Sequence, residues 1–153
     1  MVKIKLVFWY GIIYVLSFGS YVAIKIIPFK SLITRVTNTE KIIASDLSLT
    51  KRQQQRLLRV QEILERVSEK VPWRVLCFEQ ALVALWIARV LKLNMNIYFG
   101  IKHEEGNLLA HAWTEAGNQI FTGEQGREEF LPVYIRGYKR EIPTFDNEPK
   151  KRS

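Results

Sequence analysis

The chain is predicted to fold as an α+β domain, and three observations predict it. The first two-thirds of its 153 residues carry helical apolar patterns, with no strand signal among them. The last third alternates apolar and polar residues in short runs. Those runs are separated by tight turn signals, which suits an antiparallel sheet built after the helices.

The elements follow in order. Leu6 to Ile24 carries no charge. It meets the length of roughly 18–20 apolar residues expected of a membrane-crossing helix. Lys3 and Lys5 flank one end, Lys25 and Lys30 the other, so the charges give no orientation. The run is too long, and lacks a clean small-residue cleavage site, for a removable signal peptide. Gly11, Ser17, Gly19 and Ser20 dilute its hydrophobicity, and its aromatic residues are spread along it rather than gathered at the ends. The preferred reading is a helix packed on the domain or on a partner protein, with membrane insertion as the alternative. Pro28 ends this helix. Phe29 to Ile33 begins a short one, and Thr37 to Thr50 reads as a polar linker.

A long helix runs from about Leu49 to Lys70, capped by Ser48 or Thr50. Leu57, Val60, Leu64 and Val67 share one face of it and belong to the core. Pro72 and Trp73 close a helical hairpin. The next helix, from Cys77 to about Leu93, is apolar around most of its circumference and so is buried. Strands are predicted over Met95–Lys102, Leu108–Glu115, Gln119–Thr122 and Leu131–Tyr138. Glu104 to Asn107 makes one turn, and Gly117-Asn118 a tight hairpin. The expected organisation is an apolar helix and linker over 1–48, a core over 49–140 and a disordered basic tail over 141–153.

Composition narrows the chemistry. A single cysteine excludes an internal disulfide and argues against a Cys-rich zinc site. It fits a reducing, cytoplasmic compartment. The net charge of +8 would attract anionic partners, although the basic residues read first as an ordinary solvated surface. No basic run is interleaved with aromatics, so nucleic acid is not expected as a partner. Neither a metal nor a cofactor is expected.

The chemistry-bearing residues are Cys77 and His111. Cys77 stands at a helix start, where unpaired N–H groups and a partial positive charge favour thiolate over thiol. His111 lies on a strand further along, in Ala110-His111-Ala112-Trp113. Either residue alone is more readily a core group; together they make an activated nucleophile and its base. This is the layout of papain-like and transglutaminase-like cysteine enzymes. A third group usually orients the histidine. With Gly117 and Asn118 as the two turn residues, Trp113 faces Thr122 and His111 faces Glu124. Glu124 is therefore the expected orienting acceptor, and a slip of one residue substitutes Gly123 or Gln125. Trp73 and Trp113 are candidates for the cleft walls or for the core. His103, beside a turn, is expected to be exposed and inert.

Pro72-Trp73-Arg74, Cys77, Gln80-Ala81-Leu82, Gly100 and Ala110-His111-Ala112-Trp113-Thr114-Glu115 resemble the lasso peptide biosynthesis B proteins. The similarity runs from about Leu6 to about Tyr138 and includes the apolar helix ending in Pro28-Phe29. It implies a transglutaminase-like fold and a cysteine peptidase that removes the leader from a lasso precursor peptide. An ATP-dependent lasso cyclase then uses the freed amine. The chain has no room for a fused recognition domain ahead of the catalytic part. It thus resembles the stand-alone protease half, which implies a separate small leader-recognition protein. The nucleophile carries over to Cys77 and the base to His111. The family pattern has an aspartate about a dozen residues beyond the histidine. Here that place is Gly123, and no aspartate lies between Asp46 and Asp146. Either Glu124 substitutes or a dyad suffices. The rival readings are a non-catalytic peptide-binding scaffold with a degenerate triad and a membrane-anchored transglutaminase-like protein of other substrate.

Overall fold

A computed structural model describes residues 2–141. All of the predicted basic tail beyond Glu141 lies outside the described residues. Among the described residues five helices precede a four-stranded antiparallel sheet, as the α+β reading requires. The helices are α1 (Val2–Ile26), α2 (Phe29–Val36), α3 (Ala44–Leu47), α4 (Lys51–Lys70) and α5 (Cys77–Leu91). The strands are β1 (Met95–Glu104), β2 (Asn107–Ala116), β3 (Gln119–Thr122) and β4 (Leu131–Tyr138), in the spatial order β3-β2-β1-β4.

Helix α5 is the centre of the core. Ala81, Leu82, Val83, Ala84, Leu85, Ile87 and Ala88 are all buried. Such a run reaches around the whole helix, so α5 is covered by α1 on one side and by β2 on another. Lys92 then stops it in the left-handed conformation, at φ 54°. Helix α4 is amphipathic. Leu57, Val60, Ile63, Leu64 and Val67 face inward, and a capping box between Thr50 and Gln53 fixes its start. Each such cap contributes about 1 kcal/mol.

The segment read as a polar linker is bound to the sheet. Thr39 bridges Gly137 of β4. Asn96, fully buried on β1, accepts from the Ile42 N–H and donates to its carbonyl, each at 2.9 Å. One side-chain amide thereby satisfies both polar groups of a backbone passing over the core. Helix α3 and a short 3-10 turn at Arg127–Glu129 had no expected counterpart.

The β2–β3 hairpin departs from the expected register. Ala116 pairs Gln119 and Glu115 pairs Ile120, as predicted, but the next pair is Thr114 with Thr122 rather than Trp113 with Thr122. Phe121 is the extra residue of a β-bulge. Phe121 and Thr122 are both buried. The bulge moves every residue beyond it by one position.

Candidate active site

Cys77 is the first residue of α5. The first bond of that helix runs from the Gln80 N–H to the Leu76 carbonyl, at 3.0 Å. The N–H groups of Cys77, Phe78 and Glu79 thus emerge from the helix end. Buried Glu79 reaches back to accept from the Leu76 N–H at 3.2 Å, which fixes the backbone entering the helix. The preceding loop is held by Trp73. Its indole N–H donates to Ser17 Oγ at 3.1 Å, and its ring lies between Tyr14 and Phe18 of α1 at 5.0 and 5.1 Å. Trp73 is accordingly an anchor of the cysteine loop on α1, not a wall of the cleft.

Cys77 and His111 line one cleft of about 560 Å³ between α4, α5 and the end of β3. Among the described residues no direct hydrogen bond joins the thiol to the ring. Such contacts often tighten only when substrate is bound. His111 Nε2 sits 2.8 Å from the Gly123 carbonyl oxygen. A carbonyl can only accept, so Nε2 carries the hydrogen, and in the neutral ring Nδ1 is the free base.

That contact answers the question of the orienting group. The hydrogen bond expected from Glu124 is made by the backbone of the residue before it. Glu124 is exposed and lines the same cleft, but its carboxylate makes no hydrogen bond to His111. The bulge at Phe121 is the reason: it turns the chain so that a main-chain carbonyl, rather than the next side chain, meets the imidazole. Gly123 has φ +75°, and a Cβ there would collide with the Ala112 carbonyl oxygen and lie 2.9 Å from Trp113 Cα. The backbone approaches β2 so closely that the place of the missing aspartate has no space for any side chain.

Aromatic rings hold the imidazole from the sides. Trp113 stacks on His111 at 5.9 Å, and Phe130 lies 5.1 Å from it. Trp113 is buried, not a cleft wall, and stacks in turn on Tyr98 at 5.5 Å with the rings parallel. The Tyr98 hydroxyl donates to Glu115 at 2.5 Å. Burial, then the hydrogen bond and charge of Glu115, push the Tyr98 phenol up to about 12. Gly100 pairs directly with His111 across β1 and β2. A Cβ at Gly100 would lie 2.8 Å from both Phe130 and Trp113, so glycine is what lets the two rings close on the histidine. Phe130 and Tyr98 were not singled out in the sequence. Phe130 lies in an unpatterned loop, and the only pointer to its place was the glycine opposite His111. His103 is exposed, as expected. Among the described residues no three His, Cys, Asp or Glu side chains gather to hold a metal ion.

A helix-start thiol and a strand imidazole around one cleft define the cysteine-enzyme class of α+β folds. A family model of the transglutaminase-like superfamily matches residues 24–135, and the chain belongs to that superfamily, which includes cysteine proteases. Neither a curated protein nor a solved structure matches the chain.

Proposed function

We propose that the protein is a cysteine peptidase that removes the leader from a lasso-type precursor peptide, working with a separate leader-recognition protein and an ATP-dependent cyclase. The observation that carries the chemistry is the bond from His111 Nε2 to Gly123, which leaves Nδ1 free in the cleft that Cys77 shares. Nδ1 takes the thiol proton, and the Cys77 sulfur attacks the scissile carbonyl carbon. In this reading the N–H groups at the start of α5 and the Gln80 side chain, which also lines the cleft, donate to the oxyanion. The imidazolium returns its proton to the departing nitrogen, which frees the core amine and leaves the leader as a thioester. Water then adds to the thioester as His111 takes its proton. Collapse releases the leader carboxylate and the thiol. The lasso assignment rests on the Cys77 and His111 motifs taken together.

Mass spectrometry of a candidate precursor incubated with the protein and its recognition partner tests this. Two fragments split at one peptide bond are expected, and none with Cys77→Ala or His111→Ala. Unchanged processing by Cys77→Ala would instead establish the scaffold reading, which the absence of a carboxylate on His111 among the described residues favours.

A further inference from the structure

We infer that α1 is an in-plane membrane anchor that lays this domain on an anionic phospholipid surface. The helix is inverted relative to an ordinary surface helix. Its inner face buries Ile13 and the small hydroxyl residues Ser17 and Ser20. Its outer face presents Val7, Phe8, Tyr14, Val15, Phe18 and Ile26, with Val7, Val15 and Ile26 about 70% exposed. At 3.6 residues per turn these side chains fall within an arc of about 120°. No charged residue interrupts them between Leu6 and Ile24. The apolar stretch Lys5–Ile26 is 22 residues long, yet little of it is buried inside the domain. A contiguous apolar strip of that length is rarely left in water.

The same helix cannot cross the bilayer in this fold. Its inner face packs on α4 and α5. The outward side of α4 carries Arg52, Arg56, Arg59, Glu62, Arg66 and Lys70, which would have to enter the hydrocarbon with it. Withdrawing α1 alone would strip Ser17, Tyr14 and Phe18 from Trp73 and loosen the loop that presents Cys77. Lying flat avoids both costs, because the outer strip enters the headgroup–acyl boundary while the inner face stays on the domain.

Charge selects the occupant. Between α1 and α4 runs an open groove of about 420 Å³, floored by apolar residues such as Val7, Tyr14, Val67 and Val71 and edged by Arg66 and Lys70. An apolar slot beside two cations suits an acyl chain and its phosphate. Exposed Lys5, Lys25 and Lys30 mark the two ends of the strip, on a chain of net charge +8.

Flotation of the full-length protein with vesicles tests the anchor and needs no peptidase substrate. The wild type is expected to float with phosphatidylcholine–phosphatidylglycerol vesicles and more weakly with phosphatidylcholine alone. Alkaline carbonate should release it. Phe8→Glu/Val15→Glu should stay in the dense fraction with an unchanged circular dichroism spectrum. Arg66→Glu/Lys70→Glu, which leaves the apolar strip intact, should lose about tenfold or more in affinity for the anionic vesicles only. The inference is overturned if the wild type floats with neither vesicle or equally with both. It is overturned too by retention after carbonate, which means a spanning helix. A dimer that Phe8→Glu dissolves would overturn it as well, since a second copy would then cover the strip.

Discussion

Replacing Gly123 by alanine adds one methyl group at the point where main chain and catalytic candidate meet. At φ +75° a non-glycine residue costs about 1–2 kcal/mol on conformation alone. The new Cβ would also overlap the Ala112 carbonyl oxygen and press on Trp113 Cα and Cβ at 2.9 Å, all parts of a paired strand that cannot yield cheaply. Together these put the loss near 3 kcal/mol. At about 2–4 °C per kcal/mol for a chain of this size, the melting temperature should fall by roughly 6–12 °C. The loop relieves the overlap by moving away from β2 and takes its carbonyl off His111. A misplacement of about 1 Å in such a group typically costs on the order of 10²-fold in rate. Cys77 is the only thiol in the chain, so its alkylation by iodoacetamide reports on His111 without a peptide substrate. Calorimetry and an alkylation time course at neutral pH form the assay, with His111→Ala setting the rate expected for an unassisted thiol. A Gly123→Ala protein that melts and alkylates like the wild type would refute the argument. So would a Gly123→Asp protein that reacts faster, because the position would then have room for the family's carboxylate.

Other substitutions probe the surrounding parts. Glu124→Gln should alkylate within about twofold of the wild type, as an exposed residue that does not touch His111; a drop of the size seen in His111→Ala would return the orienting role to Glu124. Tyr98 has its phenol raised from 10.0 to about 12, so the fold holds it protonated. Its contribution is complete below pH 10 and is lost as pH rises towards 12. Thermal melts across that window should fall more steeply for the wild type than for Tyr98→Phe, and equal slopes would count against the half-buried Glu115 contact. Ser17→Ala leaves the Trp73 indole N–H without its acceptor, for an expected loss of about 1–3 kcal/mol in chemical denaturation. A loss below about 0.5 kcal/mol would mean that another group or water takes the proton.

What could be read in the sequence depended on how local each signal was. Thr50, one of the two candidate caps, does start α4, with Gln53 three residues on completing the box, and β3 and β4 fall on the predicted ranges. That Cys77 and His111 share a cleft was legible because one stands at the start of a mostly apolar helix and the other on the strand that packs against it. The orienting contact was not. It turns on a one-residue bulge at Phe121, which no turn residue in the sequence announces. Phe130 escaped for a related reason, since it reaches the histidine from a loop, across a glycine on another strand. The stretch Thr37–Thr50 looked like a linker because its attachment to the sheet runs through an isolated bridge at Thr39 and through Asn96, a polar residue in the apolar first half of β1.

An acceptor supplied by the main chain has a further effect on how this enzyme class can be dissected. Side-chain scanning removes carboxylates, amides and hydroxyls, yet leaves every peptide oxygen in place, so a conventional scan would pass over the Gly123 carbonyl that holds His111. Chemical synthesis offers a way in. Exchanging the amide between Gly123 and Glu124 for an ester keeps every side chain and makes that one oxygen a poorer acceptor, a graded weakening that no codon can encode.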